Sequence, residues 1–121
     1  MQERRNGDRY NVSFPIRVEW KDEKGQKISE EGLTENVGPQ GVLIYLPRHL
    51  PSVGSKVNLT VTENASDEVT VKAEVLRLER NPSHPQAALH LTDSVRVWRK
   101  KVWELAAETV AAQKPDAFDD W

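Results

Sequence analysis

Along most of the chain, hydrophobic and polar residues alternate with a period of two, which is the pattern of strands that bury one face. In the segment 13–20 every second residue is a large apolar one. These residues are Phe14, Ile16, Val18 and Trp20. The segment predicts a half-buried strand, and the polar stretch 21–27 that follows it, with Gly25, predicts a hairpin turn.

The chain continues to about residue 93 in short extended segments that are separated by turn-forming residues. These segments are 28–37, 41–47, 57–61, 69–78 and 86–91. The apolar positions change parity at Val75 and Leu76, which predicts a β-bulge there. About six strands without intervening helices favour a closed antiparallel β-barrel over a doubly wound sheet.

After residue 92 the apolar residues recur at helical spacing through a segment rich in Ala, Lys and Glu. Asp93 or Ser94 can cap this helix, and Pro115 is expected to end it. Trp98 and Trp103 lie five positions apart, which is about 140° around an α-helix, so they are not expected to share one narrow face. We expect Trp98 to pack on the barrel and Trp103 to cover its flank; alternatively, one of them faces a partner.

These patterns divide the chain into four parts. They are a flexible arginine-containing arm at 1–11, a β-barrel at 12–93, a C-terminal helix at 94–113 and an acidic tail at 114–121. The length of 121 residues suits one domain with one modest core.

Charge and composition exclude several classes of function. Lys and Arg number 17 against 19 Asp and Glu, so the net charge of −2 argues against a DNA- or RNA-binding protein. The absence of cysteine excludes disulfides, thiol nucleophiles and thiolate zinc sites. No apolar run approaches the roughly 20 residues of a membrane helix, and the first residues are charged, so we expect a cytoplasmic protein without membrane insertion.

The histidines do not indicate an enzyme. His49 and His84 lie in proline-containing loops, and His90 lies on the polar side of a strand. Their spacing matches no common metal motif, so we expect no catalytic residue, no metal site and no cofactor.

Two segments are candidates for ligand binding. In the arm, Arg4, Arg5 and Arg9 lie within six positions, where the hydrophobic pattern does not require them. A guanidinium group can bind a phosphate or a guanine edge with two parallel hydrogen bonds. The other candidate is the loop Asn36 to Gly41, whose glycines permit close approach of a ligand to the backbone. Alone, the first is equally consistent with a solvated terminus and the second with an ordinary turn.

Taken together and in this order, the two segments resemble the PilZ family, bacterial receptor domains for the second messenger cyclic di-GMP. The RxxxR motif of the family matches the stretch from Arg5 to Arg9. Its [D/N]xSxxG motif matches the stretch from Asn36 to Gly41, except that Gly38 replaces the serine. The resemblance extends over about residues 3–93.

The resemblance implies a six-stranded antiparallel barrel whose arginine arm closes over a nucleotide on the loop. Arg5 and Arg9 would bind guanine edges and phosphate, with Arg4 as a further candidate. Asn36 would bind a guanine or shape the turn, and Gly41 would allow close approach. Gly38 lacks the hydroxyl of the motif, so we expect weaker binding, and a serine there is expected to strengthen it.

The function implied is that of a non-enzymatic bacterial signalling module, which binds cyclic di-GMP and passes the signal to a protein partner. We expect a monomer or a weak dimer. The alternative is a degenerate PilZ-like adaptor that no longer binds nucleotide and acts through protein–protein contacts.

Overall fold

The computed structural model describes residues 8–113, in which six strands form one closed barrel in the order β1-β2-β3-β6-β5-β4. The strands are β1 (Pro15–Lys21), β2 (Lys27–Val37), β3 (Gly41–Tyr45), β4 (Lys56–Val61), β5 (Val69–Glu79) and β6 (Gln86–Leu91). Every neighbouring pair is antiparallel. The structure confirms the predicted six-stranded antiparallel barrel with a C-terminal helix. Arg4, Arg5 and the predicted acidic tail lie outside the described residues.

The barrel forms because alternate residues of each strand are apolar and point into one common core. The buried residues of the core include Ile16, Val18, Val42, Ile44, Leu59, Val71, Val75 and Leu89. The predicted hairpin between β1 and β2 is confirmed, since Lys21 pairs with Lys27 and Gly25 has a positive φ of 81°. Glycine adopts that backbone conformation without steric cost.

A buried hydroxyl helps to tie the segment before β1 to β2. Thr34 is fully buried, and its side-chain oxygen accepts a hydrogen bond from the backbone N–H of Phe14 at 2.9 Å. The same hydroxyl donates to the backbone carbonyl of Val12. β1 begins at Pro15, two residues later than the alternation predicts, although Phe14 is buried as expected.

Two strands contain a register shift. In β5 the shift lies between Val75 and Arg77, which confirms the predicted bulge. In β2 a shift between Thr34 and Asn36 was not predicted. A bulge places two consecutive side chains on the same side of a strand, so both shifts change which residues face outward.

The C-terminal helix comprises α1 (Val95–Trp98), a π-helical turn (Arg99–Trp103) and α2 (Glu104–Gln113). The expected side-chain cap is wrong: Ser94 has a left-handed backbone and makes no side-chain capping bond. The carboxylate of Asp93 instead accepts a hydrogen bond from the backbone N–H of Lys72 at 3.2 Å. Among the residues that the structure describes, no helix is long and apolar enough to cross a membrane.

Candidate ligand site

The loop between β2 and β3 is a tight turn held by backbone hydrogen bonds. The N–H of Gly38 donates to the carbonyl of Gly41 at 2.9 Å, and the carbonyl of Gln40 accepts from Leu91 of β6 at 3.0 Å. A β-carbon at position 41 would lie 3.0 Å from the carbonyl oxygen of Leu89. Gly41 therefore suits the close approach of β6, because a β-carbon there would force the Leu89 carbonyl to move by a few tenths of an ångström.

The arm reaches this loop because Tyr10 forms a backbone bridge with Val37. Their N–H groups and carbonyls exchange two hydrogen bonds, each of 2.9 Å. This bridge fixes the residue next to Arg9 at the end of β2. The arginine side chain is thus held close to the loop by backbone pairing of its neighbour.

Arg9 lies directly on the loop. Its Nε donates to the side-chain oxygen Oδ1 of Asn36 at 2.9 Å. A β-carbon at position 38 would lie only 2.7 Å from Nη1 of Arg9, so the guanidinium group occupies the space that a side chain of Gly38 would take. Because position 38 has glycine and not the serine of the motif, the space beside the loop is free for the guanidinium group of Arg9.

The unpredicted bulge in β2 explains why Asn36 faces Arg9. Thr34 points into the core and Val37 is also buried, so regular alternation would not leave Glu35 and Asn36 both partly exposed. The register shift resolves this by turning both side chains outward. Asn36 thereby reaches the outer surface beside the arm.

Arg9 and the loop form one side of a pocket of about 440 Å³ on the outer surface of β3, β6 and β5. The pocket is lined by Arg9, Asn36, Pro39, Gln40, Gly41, Val42, Leu43, Leu76, Arg77, Ala88, Leu89 and His90. It combines apolar side chains with two arginines, two amides and a histidine. Such a surface suits a ligand with a planar apolar face and negative charge.

Sequence reasoning missed the opposite side of this pocket, which Leu76, Arg77 and His90 line. Leu76 is 55% exposed, because it follows the inward-facing Val75, and the β5 bulge turns the next residue, Arg77, outward beside it. His90 lies opposite Gly41 in the register of β3 and β6. The change of parity at Val75 predicts a bulge here, but it implies that Leu76 joins the apolar inner face, whereas the structure leaves Leu76 and Arg77 outward.

The other histidines have partners elsewhere. Nδ1 of His49 lies 2.6 Å from the Glu30 carboxylate, and Nε2 of His84 lies 2.7 Å from that of Glu35. The ring of His84 also stacks on Tyr45, with centroids 4.3 Å apart. Within the described part of the chain, no three His, Cys, Asp or Glu side chains are grouped to bind a metal ion.

Of the residues predicted for the site, the structure brings together Arg9, Asn36, Gly38 and Gly41. Arg5 and Arg4 cannot be placed beside them, since both precede the described residues. The helix also contributes to the site, which the sequence did not indicate. Nε1 of Trp98 donates to the carbonyl of Gly38 at 2.8 Å, and Nε1 of Trp103 donates to the carbonyl of Asp8 at 2.9 Å.

Comparisons with solved structures find the same fold. The PilZ domain of YcgR from Escherichia coli with c-di-GMP gives a TM-score of 0.68 at 10% identity, covering 98% of this chain and 99% of that one. The inhibitor of motility MotI/DgrA from Bacillus subtilis gives 0.68 at 14% identity, and the MrkH–c-di-GMP complex from K. pneumonia gives 0.64 at 10% identity. These two alignments cover 92% and 91% of this chain, which spans only about half of either structure, 53% and 54%.

At such identities these structures establish the fold alone. A comparison with curated proteins gives no match. The model of the family described as PilZ domain matches residues 3–100, which include both candidate motifs and all six strands. The chain therefore belongs to the PilZ domain family.

Proposed function

We propose that this chain is a non-enzymatic receptor module for cyclic di-GMP in the bacterial cytoplasm. In this proposal Arg5 and Arg9 bind the nucleotide together with the loop Asn36 to Gly41, and the domain passes the signal to a protein partner. Membership of the PilZ family supports a receptor role. The nucleotide in the structures of the YcgR PilZ domain and of MrkH supports cyclic di-GMP as the ligand.

The observation that carries the proposal is the position of Arg9. Its Nε is already bonded to Asn36, while Nη1 lies over Gly38 at the side of the pocket. The guanidinium is therefore oriented by contacts within the protein itself. A planar fork fixed in this way suits a phosphate oxygen pair or the O6 and N7 atoms of guanine.

Isothermal titration calorimetry of the purified protein with cyclic di-GMP tests the proposal. We expect micromolar-range binding by the unchanged protein, and a loss of about tenfold to a hundredfold in Arg9→Ala, since a hydrogen bond to a charged group contributes about 1.5–3 kcal/mol. Arg5→Ala is expected to weaken binding in the same way. GMP serves as a control ligand and should bind much more weakly than the cyclic dinucleotide.

Arg48→Ala is the matched control variant. Arg48 is exposed and follows the end of β3 that lies away from Gly41, so its removal changes the net charge equally without altering the pocket. Equal losses in Arg9→Ala and Arg48→Ala would mean that general charge, and not the site, governs binding. No heat at several hundred micromolar cyclic di-GMP would refute the receptor and leave the adaptor.

A further inference from the structure

The C-terminal helix contacts both halves of the candidate site through two indole groups. Trp98 donates to the carbonyl of Gly38, which belongs to the loop, at 2.8 Å. Trp103 donates at 2.9 Å to the carbonyl of Asp8, which immediately precedes Arg9 in the arm. One helix therefore holds the loop with one tryptophan and the arm with the next.

The π-helical turn makes this double contact possible. In an α-helix, residues five apart point in different directions, which was the reason for expecting Trp98 and Trp103 on different faces. Over Arg99–Trp103 the backbone is π-helical, and the N–H of Glu104 donates to the carbonyl of Arg99. Bonding from i to i+5 adds one residue to the turn, so residues five apart come to lie on one side.

The two indole bonds differ in their surroundings. Trp98 is completely buried, so its N–H needs the Gly38 carbonyl as a partner. Trp103 is half-buried and packs against Tyr10, with ring centroids 6.3 Å apart at 42°. Loss of the Trp103 N–H would leave the ring contact and the fold intact. Loss of the Trp98 N–H would deprive the buried Gly38 carbonyl of this hydrogen bond.

Arg9 lies between two fixed points. On its C-terminal side Tyr10 is paired with Val37, and on its N-terminal side the Asp8 carbonyl is bonded to Trp103. Both attachments restrict the backbone that carries the guanidinium group. An arm restricted before binding loses less conformational entropy when the ligand arrives.

We infer that Trp103 is a positioning residue of the ligand site, which orders the arm around Arg9, and that docking of the C-terminal helix is therefore coupled to ligand binding. The ligand in this inference rests on the proposed function, but the ordering of the arm does not. Coupling of two equilibria is reciprocal, so a ligand on Arg9 and the loop must strengthen the docking of the helix by the same factor. On the proposed function, the helix is the element through which occupancy of the site would reach a protein partner.

The ordering of the arm is tested without ligand by hydrogen exchange of single amides. Trp103→Phe keeps an aromatic ring beside Tyr10 but removes the indole N–H. We expect faster exchange of the Tyr10 and Val37 amides, whose bridge joins the arm to β2, and unchanged exchange at Leu59 in the core. Lys101→Ala is the matched control.

Lys101 belongs to the same π-helical turn but contacts Asp67, with Nζ 3.0 Å from both carboxylate oxygens, away from the arm. Exposed ion pairs of this kind contribute little to stability, so this variant should leave the Tyr10 and Val37 amides unchanged. Equal exchange in Trp103→Phe and in the unchanged protein would overturn the inference. If Trp103→Phe melts well below the Lys101→Ala variant, the deciding measurement is exchange of the Trp103 indole N–H in the unchanged protein. We expect this exchange to be slow. Exchange as fast as that of an exposed indole would overturn the inference.

Titration with cyclic di-GMP then tests the coupling. We expect Trp103→Phe to bind about twofold to tenfold more weakly than Lys101→Ala, the effect of losing one hydrogen bond. Cyclic di-GMP should also slow exchange of the helix amides at 104–106, and less so in Trp103→Phe. Equal affinities of the two variants would refute the coupling while the receptor function stands. No binding by the unchanged protein would refute the receptor function, and the exchange of the Tyr10 amide would still decide whether Trp103 orders the arm.

Discussion

At the residue scale, Gly38 makes two contacts. One uses its carbonyl, and the other is possible because glycine has no side chain. The carbonyl accepts the hydrogen bond from Trp98, and the guanidinium of Arg9 lies where a side chain would project. The φ angle of Gly38 is not positive, so the backbone itself accepts other residues. A substitution here therefore changes the position of Arg9 and leaves the turn unstrained.

Replacement of Gly38 by serine and by alanine separates two effects. Either β-carbon would meet Nη1 of Arg9 at 2.7 Å, so the flexible end of the arginine must move in both variants. Only serine adds the hydroxyl of the family motif. We expect Gly38→Ser to bind cyclic di-GMP about twofold to tenfold more tightly than Gly38→Ala, measured by calorimetry, since one hydrogen bond contributes about 0.5–1.5 kcal/mol.

Relative to the unchanged protein, the gain from the serine is smaller, because the displaced guanidinium offsets part of it. This refines the sequence-based expectation that a serine strengthens binding. Equal affinities of the serine and alanine variants would show that the hydroxyl has no part in the site.

At the scale of elements, two bulges assemble the pocket from opposite sides. The β2 bulge turns Asn36 outward next to the arm, and the β5 bulge turns Arg77 outward beside Leu76 on the far wall. Only the β5 bulge was predictable from the sequence. In β5 the apolar residues change parity, whereas 28–37 is mostly polar and contains no apolar alternation that a bulge could shift.

Arg77→Ala tests whether the far wall contacts the ligand. We expect cyclic di-GMP to bind about threefold to tenfold more weakly, less than the loss in Arg9→Ala, because Arg77 is exposed and its Nε lies 3.3 Å from the Glu79 carboxylate. Arg80→Ala is the control, since Arg80 is exposed close by in sequence and does not line the pocket. Affinities that fall equally in both variants would assign the effect to charge alone.

The helix shows why the rest of the site was not predictable. The partners of Trp98 and Trp103 are backbone carbonyls of Gly38 and Asp8, and a carbonyl carries no signal in the sequence. Trp98 and Val102 are both buried and lie four residues apart, which is also the spacing of an ordinary α-helix. The apolar pattern therefore does not indicate the π-helical turn. The sequence therefore predicts packing on the barrel and its flank for the two tryptophans, with one of them facing a partner as the alternative, and neither expectation includes a bond to the site.

At the scale of the whole molecule, the barrel was predictable because each strand carries its own pattern of apolar residues. Closure also pairs β1 with β4, so the barrel has no free strand edge among the described strands. The arm bridges to β2 and the helix bonds to both arm and loop, so the candidate ligand site lies where all three parts meet. Binding at that place should stabilise the domain as a unit.

A thermal unfolding experiment tests this stabilisation. A ligand that binds only the folded state at a hundred times its Kd stabilises it by about 2.7 kcal/mol. For a domain of this size each kcal/mol raises Tm by roughly 4 °C, so saturating cyclic di-GMP should raise Tm by about 10 °C. Arg9→Ala, if its affinity falls tenfold, retains about 1.4 kcal/mol at the same ligand concentration, so its shift should be about half as large. An equal shift in both proteins would mean that the nucleotide stabilises the barrel at a place that does not involve Arg9, and the site would then have to be sought on another face.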